Sequence, residues 1–492
     1  MPLNYAPILF TKDELINITG GKWIQNEPQN LMVKGFFISP DQYVPDYILV
    51  AAGGFSVQKN KPYVLNTLKK GVVAAIVDEE LGDYPSWSSI LLVDDTKNAL
   101  EKLGDNARNK SKAAIVAITG SVGKTSIKAT LANVLSAQGA TFCSYGSING
   151  GIGLRGQLAL LPKDIDFGIY EIGMLGPNSI KPRSQYIKPD VALINSIAPA
   201  HIKYHADIDS IIKTKVDIVY GVKEGGSVIV PRDDVHFEKI KYFCDKSNRN
   251  INIITFGEHE ESDCRLINFT KSELGGKVKA TILGEYVEYI INLEGRFWVL
   301  NSIAILACVK LAGASVGVAS KMFEFLLPEM RRGERFRVEL EKGAVLELID
   351  DTFNANPSSM KAAINMLDGR LKPKNGRKIL VIGDMEELGT DEKKYHTDLK
   401  YIIEKSGIDC ICTVGDKMKT LFNVIKNKEI YHAKDSSIMA EELNKYVRSG
   451  DLILVKGSNK TKMDRIITKF ISQNRKEYMA PVGWSVRREL DD

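Results

Sequence analysis

Apolar residues in this 492-residue chain come in short strand-length runs separated by longer amphipathic stretches, and the rhythm changes twice along the chain. Before residue 110, runs at 47–52, 72–77 and 90–93 predict strands. A helix is expected around 64–70, and a charged one ending near Asn109. Thr11-Lys-Asp-Glu14 has the spacing of a capping box that opens a further short helix. The polar run at 106–112 is a natural boundary. From residue 113 strands and helices alternate, with strands at 113–119, 167–172, 191–195, 227–230 and 251–256, which implies a parallel sheet. Residues 261–293 alternate as antiparallel strands do, and helices follow at 300–311 and 321–327. A third series starts near Arg331, with strands at 345–349, 378–382, 410–414, 429–431 and 452–455 and a last helix at 462–473 carrying a polar tail. The fold class is therefore α/β in three domains. Residues 1–110 form a small α/β unit, 111–329 a central phosphate-loop domain on a parallel sheet, and 330–492 a Rossmann-like domain.

Composition narrows the function by exclusion. A net charge of +5 spread over this length is too mild for a nucleic-acid partner. No apolar run approaches the roughly 20 residues that span a bilayer, so no membrane partner is expected. The first residues carry no basic segment followed by an apolar run, and the six cysteines sit in apolar surroundings, as reduced core residues of a cytoplasmic protein do. Cys410 and Cys412 lie within a buried-strand pattern and lack a second ligand pair for a metal. A monomer is expected.

The chemistry begins at Thr-Gly-Ser-Val-Gly-Lys-Thr-Ser, residues 119–126. A strand precedes it and a helix follows, the setting in which a glycine-rich turn cradles phosphate. Gly120 and Gly123 let backbone amides approach oxygen atoms without a Cβ in the way, and the helix N-terminus adds partial positive charge. Ser121 and Ser126 belong to the same cradle. Lys124 is expected at the β- and γ-phosphates of ATP and the Thr125 hydroxyl on Mg²⁺. The glycine spacing is shorter than in the G-x4-G-K-[ST] form, so the placement between strand and helix carries the assignment. Glu171 ends the next strand and His201 lies just past the following one, both on the edge where ligands gather in open α/β sheets. The two can converge on a metal near Thr125; singly, Glu171 reads as a helix cap and His201 as a loop residue. His205, four residues on, lacks the third ligand that zinc would need.

These pieces, in order, resemble the Mur ligase family. Besides residues 119–126 they are the Asn-rich loop at 145–154, Tyr170-Glu-Ile-Gly-Met174, 195–201, Lys213-Thr-Lys-Val-Asp-Ile218, and Gly295 to Asn301. Further on come Arg332-Gly-Glu-Arg335, Asp350-Asp-Thr-Phe-Asn-Ala-Asn-Pro357, Gly383-Asp-Met-Glu-Glu-Leu-Gly389 with His396, and Leu454-Val-Lys-Gly-Ser458. The pieces at 350–357 and 383–389 are most like the members that add D-alanyl-D-alanine.

The resemblance implies an ATP-dependent ligase, working through an acyl phosphate, that joins a small-molecule carboxylate such as a peptidoglycan precursor to an amine. It implies two Mg²⁺ ions held by Thr125, Glu171, His201 and a carbamylated Lys215. It puts Asn301, Arg332 and Asp351 at the nucleotide, Asn149, Asn354, Asn356, Lys456 and Ser458 at the substrates, and the acid in the N-terminal domain. Several departures leave the acid open. Phe37-Ile-Ser-Pro-Asp41 and Gln58-Lys-Asn-Lys61 stand where the family has Asp-Ser-Arg and Asp-Gly-His. Gly295-Arg-Phe-Trp-Val-Leu-Asn301 replaces Gly-x-His-Asn-x-x-Asn, Pro231-Arg-Asp-Asp234 replaces Asn-Ala-Asp-Asp, and Phe353 replaces a tyrosine. Phe297 and Trp298 can stack on the adenine or fill core; core is the expectation, since an aromatic beside a helix start usually packs. Two alternatives stand beside the cell-wall ligase: the same chemistry on a non-muramoyl acid, and a non-catalytic nucleotide-binding protein.

Overall fold

The computed structural model describes residues 8–478 apart from positions 40, 41, 45, 81, 147, 199–203, 206, 273, 274, 341, 342, 473 and 474. Three sheets larger than a hairpin organise it. In the central one, strand Ala114–Thr119 lies between Phe167–Glu171, with Thr141–Cys143 beyond it, and Val191–Ile194, with Ser227–Pro231 and Asn252–Gly257 beyond that. All of these pair in parallel. From Ala114–Thr119 the chain goes to the edge strand Thr141–Cys143, returns to Phe167–Glu171 and then crosses to Val191–Ile194 on the other side. The crevice at the carboxyl end of Ala114–Thr119 is where such sheets bind ligands. Three antiparallel strands, Cys264–Ser272, Gly275–Ile282 and Glu285–Ile291, extend the same sheet. Nearly every residue of the central strands is buried because helices cover both faces, so their sequences read as continuous apolar runs.

The C-terminal sheet has seven strands, with Leu452–Lys456 between Lys378–Gly383 and Val345–Asp351. Two of its strands escape the sequence pattern: Glu334–Glu339, and Arg475–Tyr478, which pairs with it where a polar tail was expected. The expected helix at 321–327 is instead Val316–Met322 followed by a 3₁₀ turn at Phe323–Phe325, since Ser315 caps the helix by accepting from the Val318 amide. Helix Arg296–Leu311 starts four residues before the expected 300, straight after Gly295 at φ 110°. Thr11 and Glu14 form the expected capping box. No helix among the described residues is long and apolar enough to cross a membrane.

The N-terminal sheet has five strands. Its closing helix, Thr96–Lys110, runs through most of the polar stretch expected to be a boundary. Leu100, Leu103 and Ala107 of that helix share one core with Leu154 and Leu158 of helix Gly151–Ala159. Gly104 is required there, because a Cβ would lie 1.8 Å from the Tyr186 hydroxyl. Arg108 is 4% exposed and ties the two units: Nε donates to the Ile187 carbonyl at 3.0 Å and Nη2 to that of Lys188 at 2.9 Å. Arg108→Ala strands two buried acceptors and opens a cavity, so it should lower stability by about 3 kcal/mol. An earlier denaturant midpoint checks this; an unchanged midpoint would mean water replaces the guanidinium without cost.

Candidate active site

Strand Ala114–Thr119 delivers the phosphate loop to the crevice, and helix Lys124–Ser136 leaves it. Gly123, at φ 81°, begins the helix and supplies no side-chain cap, which leaves first-turn amides for a ligand. A Cβ on Gly123 would stand 3.0 Å from Asn195 Nδ2. The loop is anchored to the next strand's exit. The Ser121 amide donates to the Ser196 carbonyl at 2.9 Å, and the Ser121 hydroxyl donates to the Ala198 carbonyl and accepts from the Ala198 amide, each at 2.9 Å. Asn195 Nδ2 donates to the Val122 carbonyl at 3.1 Å. Ser121 is thus an anchor whose hydroxyl is already committed. The Lys124 ammonium folds back onto the Gly120 carbonyl at 2.9 Å. Burial, reinforced by the Arg332 charge and opposed by Glu171, lowers its pKa.

Glu171, at the carboxyl end of Phe167–Glu171, is 2% exposed. Its Oε1 accepts from Asn149 Nδ2 at 2.7 Å, while Oε2 has no hydrogen-bond partner. Such an orphaned buried oxygen on a cleft wall fits a divalent cation, which takes its remaining ligands from phosphate and water. Among the described residues no three His, Cys, Asp or Glu side chains gather into a self-sufficient metal cage. His201 lies outside the described residues. His205 shares a 2.9 Å hydrogen bond between Nδ1 and the Ser210 hydroxyl. Lys215, on helix Ile208–Val216, is 1% exposed. Its pKa is driven well down, by burial first and by the Lys124 charge second.

The C-terminal sheet closes the other wall of the cleft. One cavity of about 690 Å³ is lined by Gly123, Lys124, Thr125, Ser126, Asn149, Glu171 and Asn301 on one side. Arg332, Asp351, Asn354, Asn356 and Lys456 line the other. Arg332 lies 3.8 Å from the centre of the Phe353 ring, a cation–π contact that aims it across the cleft. Asp351 and Lys456 form a 2.8 Å ion pair, and Lys456 also donates to the Asn354 carbonyl at 2.9 Å. Asn356 caps helix Pro357–Asp368 through its side chain, and Asn354 Oδ1 accepts from the Ala355 amide. Asn301 leans over the loop, its Nδ2 3.5 Å from where a Gly123 Cβ would be. Gly120, Lys215 and Ser458 are not among the lining residues. Ser458 is buried beside the lining Lys456, its hydroxyl 3.5 Å from that of Thr461. The expectation for the aromatic pair holds in part: Trp298 packs in the core while also lining the cavity, whereas Phe297, in the first turn after Gly295, is 41% exposed and walls the cleft.

Sequence reasoning missed three features. Lys128 was available as the i+4 neighbour of Lys124 on one helix face. Asn195, the loop's anchor, opened the piece at 195–201 but was given no role there. Nor did anything in the sequence mark the ionic bridge between the sheets, in which Arg370 pairs with Glu294 at 3.4 Å and with Glu347 at 2.7 Å, while Arg335 holds Glu347 at 2.6 Å.

Comparison with known proteins gives a consistent result. Residues 118–309 match the Mur ligase middle domain, and 334–459 match the Mur ligase, glutamate ligase domain. The UDP-N-acetylmuramoyl-tripeptide–D-alanyl-D-alanine ligase of Rickettsia prowazekii is 29% identical over 411 residues, 82% of this chain and 88% of the relative. Its namesake in Bacillus subtilis is 29% identical, over 83% of this chain and 87% of its own. A crystal structure of MurF from Acinetobacter baumannii superposes with a TM-score of 0.81 over 94% of this chain and 99% of that one, at 24% identity, and shows the same fold.

Proposed function

The chain belongs to the Mur ligase family, and from that premise we propose that it joins UDP-N-acetylmuramoyl-tripeptide to D-alanyl-D-alanine. It is an ATP-dependent, ADP-forming amide ligase. The observation that carries the proposal is that one cavity unites the phosphate loop and Glu171 with Arg332, Asp351 and Lys456 from the facing sheet. The Rickettsia prowazekii and Bacillus subtilis relatives, which bear this activity in their names, each match more than four-fifths of this chain.

The residues suit an acyl-phosphate route. The loop amides and Lys124 hold the triphosphate, and Arg332 adds charge from the facing wall. A carboxylate oxygen of the acid attacks the γ-phosphorus and ADP leaves. The amine nitrogen then attacks the acyl carbon, phosphate departs, and the amine proton passes to solvent. The cleft's work is to position the partners and exclude water while the mixed anhydride exists. Mg²⁺, when bound, neutralises phosphate charge; Thr125 and Glu171 would hold one ion, and a carbamylated Lys215 with Glu171 and His201 a second. Burial favours the uncharged Lys215 amine, the form that adds CO2. We place the domain limits at 1–110, 111–329 and 330–492, with the acid bound by the first. We read the chain as a monomer, and the use of ATP supports a cytoplasmic site.

A second reading keeps the chemistry and changes the acid. It is favoured by Phe37-Ile-Ser-Pro-Asp41 and Gln58-Lys-Asn-Lys61, which lack the family's UDP-sugar signatures. Phosphate release over a panel of acids and amines, with mass spectrometry of the product, decides between the two. Efficient turnover of UDP-N-acetylmuramoyl-tripeptide with D-alanyl-D-alanine is the expected result. Silence there with turnover of another pair would favour the second reading. Hydroxylamine should trap the activated acid as a hydroxamate; ATP-dependent product with no trappable acyl species would count against the route.

A further inference from the structure

Lys128 is 3% exposed, although it stands one helical turn after Lys124 on helix Lys124–Ser136. Its ammonium donates to the Ser144 carbonyl at 2.7 Å and to the Gly146 carbonyl. Both belong to the loop that leads from strand Thr141–Cys143 to Asn149. The same ammonium lies 3.9 Å from Glu171 Oε2, near enough to offset its charge and too far to take a hydrogen bond. The loop also reaches Glu171 directly. Asn149 Nδ2 donates to Oε1 at 2.7 Å, the Glu171 amide donates to the Ser144 hydroxyl at 3.4 Å, and the Gly173 amide donates to the Asn149 carbonyl at 3.0 Å. Asn149 and Glu171 line the cleft, whereas Lys128 does not. An apolar side chain of similar volume would fill this site without the desolvation penalty of a buried ammonium. The charge therefore needs an explanation beyond packing.

We propose that Lys128 is a positioning residue: from behind the cleft wall it pins the 144–149 loop to Glu171 and balances the carboxylate's charge. Oε1 is thereby held by Asn149, and Oε2 stays presented to a divalent cation. The proposal rests on the ligase reading for the cation's role in the reaction, but not for the contacts themselves. Partners one step behind a metal ligand commonly change metal affinity by about 10- to 100-fold when removed. Lys128→Met should leave ADP binding in EDTA within about twofold of the parent, because the phosphate loop keeps its own anchors, while the gain in ADP affinity on adding MgCl2 falls about tenfold or more. Amide hydrogen exchange should quicken in the 144–149 loop and stay unchanged at 120–127. Lys128→Arg, which can still donate to both carbonyls, should recover part of each effect. If Lys128→Met does not fold, Lys128→Gln, which keeps an amide NH2 donor but has no charge, is measured in the same way. Loop exchange and Mg²⁺ response that both match the parent would overturn the proposal. So would a loosened loop with an unchanged Mg²⁺ response, or a loss that Lys128→Arg leaves untouched. None of these readouts uses the acid or the amine, so failure of the parent to turn over the muramoyl substrate would sink the substrate reading and leave this test standing.

Discussion

Lys124→Ala should reduce ATP-dependent phosphate release about 10³-fold, equivalent to roughly 4 kcal/mol of barrier. The ammonium is the cation of the phosphate loop, held at 2.9 Å on the Gly120 carbonyl, and a rotation about its four-carbon stem would bring it to a phosphate oxygen. In the low-dielectric cleft its charge acts on the developing charge of the transferring phosphoryl group far more strongly than it would in water. The backbone amides survive the substitution, so the loss should fall mainly on kcat, with a smaller rise in KM for ATP. Lys124→Arg should not rescue, because a planar guanidinium cannot repeat the compact swing of an ammonium. Burial and the Arg332 charge favour the neutral lysine, so the alkaline limb of the rate profile should fall at lower pH than an ordinary lysine would give. Steady-state kinetics over acid, amine and ATP check this. A kcat for Lys124→Ala within tenfold of the parent would show that the loop binds nucleotide without acting on the transferred group.

What the sequence revealed, and what it hid, divides along physical lines. Strands buried on both faces announce themselves: the run at 410–414 is strand Cys410–Val414, because helices cover both sides of that sheet. Strand Arg475–Tyr478 carried no such mark, since it joins the sheet edge through backbone pairing with Glu334–Glu339. The stretch at 106–112 looked like a linker because charge was equated with solvent, yet Arg108 is buried and satisfied by carbonyls distant in sequence. Lys128 was hidden for the same reason. The phosphate loop was legible because its chemistry is local: glycines, lysine and hydroxyl lie within eight residues between a strand and a helix. Residues from the facing sheet were legible only through a family resemblance. The Asp351–Lys456 pair and the Phe353–Arg332 stack depend on a fold that no local spacing encodes. The stack also gives the replaced tyrosine a physical sense, since a phenylalanine ring keeps the face that the guanidinium needs.

Lys215→Ala should cost about 10²- to 10³-fold in turnover, and the way it can be restored is the more telling result. The side chain is 1% exposed, and the charge that acts on it is the like charge of Lys124. A protonated amine is unstable in such a place. A carbamate is not: the neutral nitrogen adds CO2, a proton leaves to solvent, and the new anion faces Lys124 with the opposite sign. The Lys124 charge therefore favours the carbamate over the ammonium and offsets part of the desolvation cost that burial puts on either ion. CO2-depleted buffer should lower the parent's activity and bicarbonate should restore it, while Lys215→Ala should respond to neither. Formate or acetate, entering the space the side chain leaves, should rescue the variant in part. Acidification runs the same equilibrium backward, since addition of CO2 releases a proton, so the concentration of dissolved CO2 required should grow as pH falls. Intact-protein mass spectrometry at high bicarbonate should show one added CO2 on the parent and none on the variant. Undiminished turnover of Lys215→Ala, or a parent indifferent to CO2, would remove the carbamate and leave Lys215 a buried neutral amine behind the cleft that needs another account.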